Sequence, residues 1–269
     1  MGLTKLAREV LRSSHYRATP SAVLKYAYAK WVFSRFREPD PLRFLERFGI
    51  DLQVAMAGFE VWRPKLEQVV RSVNRAPDGQ GGIRLEDGMI LYGLVRALGP
   101  EVIVETGVAA GVSTSFLGAA LIENSQGTLF SIELPPKENV TLADGSRYSW
   151  QRHGVGWAIP ADIKVRLHDR HEMILADVRE ALPPLLNKVG YVDLFFHDDL
   201  HTPDHMLWEY SLVWPFIRPG GVMISDDANF GWLQFCKGLG NYKGYEALRN
   251  VNRLTAVRKQ SPITVFGNR

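Results

Sequence analysis

From Leu85 onward, short and nearly continuous apolar runs alternate with stretches of helical period. The runs Val102 to Glu105, Thr128 to Glu133, Glu172 to Ala176, Val192 to His197 and Gly221 to Ser225 have the pattern of parallel strands buried on both faces. Helical candidates lie between them at residues 86–98, 112–123, 178–188, 203–217 and 242–251. This β-α-β alternation predicts an α/β fold with a doubly wound, Rossmann-like sheet. Two last β-like runs, Leu254 to Arg258 and Ile263 to Phe266, have no useful helix between them. They predict an antiparallel C-terminal hairpin on an otherwise parallel, seven-stranded sheet.

Residues upstream of this alternation read as helices interrupted by Thr19-Pro20, by Pro39-Asp40-Pro41 and by a loop from Pro77 to Gly82. The last loop is the expected boundary between a helical N-terminal extension, residues 1–82, and the α/β domain, residues 83–269. One stretch inside the domain breaks the rhythm. Residues 134–162 are too long for a simple crossover and carry Pro135, Pro136, Trp150, Arg152, His153 and Trp157, so they read as an insertion over the ligand edge of the sheet.

Charge changes this picture only at the N-terminus. The net charge of +3 is too small to imply nucleic acid, but residues 1–37 hold eight Lys/Arg against the single acid Glu9. There Tyr26, Tyr28, Trp31, Phe33 and Phe36 interleave with Lys25, Lys30, Arg35 and Arg37. That mixture suits a membrane surface or an acidic partner, and equally a cap helix whose basic residues snorkel off the core. A lone cysteine, Cys236, rules out an intrachain disulfide framework, and no run is long enough to span a bilayer. A cytoplasmic protein, with peripheral membrane contact or a homo-oligomeric state both open, is the expectation.

The candidate chemistry begins where the first strand runs into Glu105-Thr106-Gly107-Val108-Ala109-Ala110-Gly111-Val112-Ser113 and then a helix. Strand, glycine turn and helix start in that order aim backbone N–H groups at a ligand. Gly107 permits the tight turn, Gly111 allows close approach, and Ser113 offers a hydroxyl for a carboxylate. The second strand ends in Glu133, placed to accept both hydroxyls of a ribose, and the third ends near Asp177, within reach of an adenine amino group. Each acid alone is as easily a solvated strand end. Together they share the edge of the sheet where such folds bind ligands.

The turn E-x-G-x-x-x-G-x-S from Glu105 to Ser113 resembles the S-adenosylmethionine (SAM) motif of class I methyltransferases, especially catechol O-methyltransferase-like and macrocin or TylF-type O-methyltransferases. The resemblance covers about residues 84–269. It implies that Gly107, Gly111 and Ser113 surround the methionine part of SAM, that Glu133 holds the ribose and that Asp177 lies by the adenine. Ala109 departs from the middle glycine of many methyltransferases and matches the metal-dependent branch.

Strands four and five end in His197-Asp198-Asp199-Leu200-His201 and Ser225-Asp226-Asp227. Carboxylates converging beside a nucleotide site repel one another unless neutralised, and a hard divalent cation, Mg²⁺ by default, is the simplest neutraliser. The resemblance implies Asp198, Asp226 and Asp227 as its ligands and His201, three residues after the first acid, as general base. Asp199 departs from the small polar residue usual in those families. His197 reads as a core histidine, and His205 and Glu209, four apart on the next helix, either support the site or stabilise that helix.

The expected activity is SAM-dependent methylation of a hydroxyl on a small molecule or glycan, with Trp150, Arg152 and Trp157 in the acceptor pocket. The alternatives are a metal-independent methyltransferase, a NAD-dependent oxidoreductase, for which the Asp198, Asp226 and Asp227 cluster has no use, and a non-catalytic binding module.

Overall fold

The computed structural model describes residues 20–35, 40–47, 49–76, 82–135, 153–239, 245–247 and 254–260. Seven strands form one sheet: β1 (Val102–Thr106), β2 (Thr128–Glu133), β3 (His171–Leu175), β4 (Val192–His197), β5 (Ile217–Ser225), β6 (Tyr245–Ala247) and β7 (Thr255–Lys259). Their order is β3-β2-β1-β4-β5-β7-β6. The first five run parallel, and β7 lies antiparallel to both β5 and β6. The chain steps outward from β1 to β3, then returns to β4 on the other side of β1. The carboxyl ends of β1 and β4 therefore flank the switch point at which doubly wound sheets open a crevice.

Each central strand divides its apolar residues between two core layers, because successive side chains leave opposite faces. Ile103, Leu194, Phe196, Val222 and Ile224 pack in one layer, Val104, Phe195 and Met223 in the other. Helices α1 (Pro20–Arg35), α2 (Pro41–Arg47), α3 (Leu52–Met56), α4 (Phe59–Arg75), α5 (Leu85–Leu98) and α6 (Val112–Asn124) precede the second half of the sheet. Of these, α2 to α6 build the first layer. Phe44, Phe59, Trp62 and Leu66 share its core with Ile103 and Leu129, so this part of the N-terminal extension is packed against the sheet. The second layer is built by α8 (Val178–Val189), α9 (Pro203–Val213) and α10 (Phe230–Leu239). The short α7 (Ala161–Arg166) lies on α6.

Helix α1 packs on α10, with Phe33 against the second core layer and the Lys25 ammonium 5.2 Å from the centre of the Phe230 ring. Leu24, Tyr28 and Trp31 stay exposed on its other side. Lys5, Arg8, Arg12, Arg17, Phe36 and Arg37 lie outside the described residues, as do most of the Pro77 to Gly82 loop, Trp150 and Arg152. No helix among the described residues is long and apolar enough to cross a membrane.

Two expectations need correction. Residues 203–217 are not one helix: α9 stops at Val213, Trp214–Phe216 make a 3₁₀ turn, and β5 starts at Ile217. Pro215, lacking an N–H, marks the place where the α-helix ends. Within the expected helix 242–251, residues Tyr245–Ala247 are instead strand β6, paired with β7 from Tyr245↔Lys259 to Ala247↔Val257. The β7 edge offers unpaired backbone groups, and satisfying them outweighs a short stretch of helical period. The expected strand Leu254 to Arg258 is thus real but pairs with a segment before it, and Ile263 to Phe266 lie outside the described residues.

Candidate active site

The turn after β1 is held in an uncommon backbone path by three residues of positive φ: Gly107 at 84°, Ala109 at 46° and Gly111 at 91°. Only glycine takes such angles without strain, so Ala109 is the residue under tension. At Gly107 the left-handed angle coincides with crowding. A Cβ there would run into the Asp198 carbonyl and come within 2.8 Å of Asp199 N, which binds the glycine turn tightly to the end of β4. A Cβ at Gly111 would meet Ile159, at 2.8 Å from its Cδ1. The Gly156 and Ala158 N–H groups donate to the Ala109 and Ala110 carbonyls, each at 2.9 Å, so the described end of the 134–162 insertion lies directly on this turn.

Two glutamates hold the turn and the helix start that follows it. Glu133, at the end of β2, accepts the Val108 and Ala109 N–H groups on Oε2, both at 2.7 Å. Burial raises its pKa against these hydrogen bonds. Glu105 is fully buried and accepts three hydroxyls: Ser113 at 2.5 Å, Thr114 at 2.9 Å and Ser131 at 2.7 Å. The Ser113 hydroxyl, expected to meet a ligand carboxylate, is thus engaged with Glu105, and Glu105 braces the turn from behind. Thr114 and Ser131 were not foreseen as partners; the one signal for them was that a buried acid needs donors. Asp177 is exposed and caps α8, accepting Arg179 N at 2.8 Å.

Burial pushes the Glu105 carboxyl up to about 7, although the three hydroxyls pull the other way. A raised acid pKa means that the folded state holds its proton more tightly than the unfolded chain. Stability is then greatest below about pH 4.5 as far as this group is concerned, and falls as the pH rises towards 7. Chemical denaturation at several pH values is expected to show Glu105→Gln removing that part of the decline, since the amide cannot ionise.

At the neighbouring strand ends, Asp198 N donates to the Thr106 carbonyl of β1 and Asp226 N to the His197 carbonyl of β4, both at 2.8 Å. These backbone bonds stack the three strand ends in register. Asp198, His201 and Asp226 consequently each present a ligating atom within 4.8 Å of the others. His201 Nε2 lies 3.7 Å from Asp198 Oδ1, with the side chains 18% and 20% exposed, whereas Asp226 is completely buried. Asp227, expected as the third ligand, is not in this group; it is exposed and turned away from regular strand geometry at φ 42°. The His201 main chain is pinned by Asn229, whose Nδ2 donates to the His201 carbonyl at 2.7 Å. Asn229 lies 28 residues further on, and nothing in the local sequence marks it as a partner.

Residues 104–228, which include the turn, both strand ends and every candidate side chain, match the model of a methyltransferase domain family. Over this region, a little under half of the chain, the sequence is that of a methyltransferase domain. No curated protein matches the chain. Among solved structures, the methyltransferase domain is similar to an O-methyltransferase from Bacillus cereus in complex with S-adenosylhomocysteine, at TM-score 0.53 and 20% identity over 73% of this chain and 91% of that one. A putative O-methyltransferase from Klebsiella pneumoniae aligns at TM-score 0.52 and 18% identity over 78% and 99%. The O-methyltransferase TomG from Streptomyces achromogenes, involved in tomaymycin synthesis and solved with SAM, aligns at 0.50 and 17% over 85% and 99%. At these identities the likeness is one of fold.

Proposed function

We propose that this methyltransferase acts on oxygen, moving the methyl group of SAM to a hydroxyl of a small molecule or sugar with the help of a divalent cation. The observation that carries the reading is the meeting of Asp198, His201 and Asp226 at the ends of β4 and β5, against the turn at Gly107. An aligned fold in O-methyltransferases from Bacillus cereus and Streptomyces achromogenes supports it by analogy.

SAM, when bound, supplies the electrophilic methyl group. Gly107 and Gly111 leave the backbone bare for it, Glu133 accepts the ribose hydroxyls while bracing Val108 and Ala109, and Asp177 receives the adenine amino group. Glu105 and Ser113 keep the turn in shape without touching the cofactor. The donor set fits a hard cation: Asp198 and Asp226 offer hard carboxylate oxygens brought together from different strands, and Asp226 is fully buried. Those two carboxylates would hold Mg²⁺, with Asp227 beside them in the chain. When bound, such an ion lowers the pKa of an acceptor hydroxyl. His201 takes the hydroxyl proton at Nε2, and Asp198, 3.7 Å away, favours the imidazolium that results.

Calorimetric titration with SAM, S-adenosylhomocysteine and NAD tests the cofactor half of the reading. Saturable binding of the first two and none of NAD is expected, with Glu133→Ala weakening SAM roughly 10- to 100-fold, the worth of losing a charge-assisted hydrogen bond or two. Methyl transfer from labelled SAM into a panel of hydroxyl acceptors, with Mg²⁺ or with EDTA, tests the other half. Activity that survives both EDTA and Asp226→Asn would replace this reading with a metal-independent methyltransferase.

A further inference from the structure

Beside the candidate active site, and sharing none of its side chains, lies a second group of ligating residues. Asp199 follows Asp198 in the turn after β4, while His205 and Glu209 sit four apart on α9, one helical turn from each other. Their ligating atoms all fall within 4.8 Å of one another. His205 Nε2 is 3.2 Å from Asp199 Oδ2 and 3.9 Å from Glu209 Oε2. Two ligands held at about 2.0 Å by a tetrahedral ion stand roughly 3.3 Å apart, so the His205 to Asp199 separation suits a shared ion as well as a direct hydrogen bond, and Glu209 Oε2 would close by about 0.6 Å to join them.

The second observation is a polar atom with nothing to bind. Glu209 is completely buried; its Oε2 is taken by His197 Nδ1, and its Oε1 has no hydrogen-bond partner among the described residues. A buried, unpaired carboxylate oxygen is costly and demands an explanation. Protonated imidazoles pairing with the two carboxylates would neutralise the charge yet still leave Glu209 Oε1 unused. A cation would use it.

We propose that Asp199, His205 and Glu209 form a second cation site, suited to Zn²⁺. One imidazole and two carboxylates are borderline donors that favour Zn²⁺ over the all-oxygen preference of Mg²⁺, and three protein ligands plus water complete four-coordination. His197 orients the site from behind through its bond to Glu209 Oε2. An ion there ties the Asp198 to His201 turn to α9, fixing the segment that carries the proposed base. The site is independent of whether the acceptor is a hydroxyl.

The test uses the full-length protein, stripped with EDTA, dialysed and titrated with ZnCl₂ and CoCl₂. Metal analysis, thermal melting and the visible spectrum of the Co²⁺ form are read on wild type and on Asp226→Asn, which impairs the first group and leaves the second intact. Stoichiometric metal, a raised melting temperature and Co²⁺ bands typical of four-coordination are expected in both. His205→Gln and Glu209→Gln in the Asp226→Asn background should abolish all three signals. The proposal is overturned if the wild type takes up no stoichiometric ion, if a still-folded Asp226→Asn protein loses all of it, or if His205→Gln retains it. The first two arms leave Asp199, His205 and Glu209 in place, so misfolding of the buried variants cannot imitate a negative result.

Discussion

Gly107→Ala should melt roughly 10 °C below the wild type and lose measurable SAM binding. At φ 84° the added methyl group incurs about 1–2 kcal/mol of backbone strain. It also runs into the Asp198 carbonyl and crowds Asp199 N, both main-chain atoms of a strand end locked between β1 and β5, which cannot move aside as a flexible side chain would. Overpacking of this kind adds about 1–3 kcal/mol. A total of roughly 2–5 kcal/mol corresponds to the melting shift for a chain of this size. Gly190→Ala is the control, because Gly190 has φ 78° but nothing within 4 Å of the added carbon. Scanning calorimetry should give it only the strain, about 1–2 kcal/mol. Equal losses in the two variants would mean that β4 yields, and that the closeness of Gly107 to Asp198 is not a constraint on the site.

His201→Ala should lower kcat by about 10²- to 10⁴-fold while leaving the affinity for SAM unchanged. The imidazole is placed beside Asp198 and Asp226, whereas the bonds that hold the glycine turn and the helix start run to Glu133 and Glu105. Removing it therefore takes away the proton acceptor and not the cofactor site. Loss of the acid limb of the pH–rate profile should accompany the fall. Steady-state kinetics with the acceptor saturating, together with calorimetric SAM binding, separate the two effects. A variant that binds SAM normally and retains near wild-type kcat would assign the proton to another group.

The succession of the first five strands along the chain and the place of the glycine turn could be read from the chain alone. The apolar runs at Thr128–Glu133 and Val192–His197 are so continuous that only strands buried on both faces accommodate them, and their bounds agree with the structure residue for residue. Glycines at 107 and 111 and acids at 105, 133 and 198 are local signals, carried by residues whose chemistry is restricted wherever they occur. The strand at Tyr245–Ala247 was not legible, because its reason for existing is the open edge of β7, a partner supplied by another part of the chain.

The same division runs through the site. Sequence spacing put acids at the sheet edge, but which of them meet depended on β4 lying between β1 and β5. That packing joined Asp198 and Asp226 to His201 and left Asp227 exposed. It also turned Glu105 and Ser113 towards each other behind the turn, where neither is open to a ligand. Along the chain His197 reads as a core histidine, Asp199 as a departure from the family pattern, and His205 and Glu209 as a pair that supports the site or only its helix. They became one buried network only when α9 folded back on the end of β4, since the free energy of a buried charge depends on its neighbours in space and not on its neighbours in sequence.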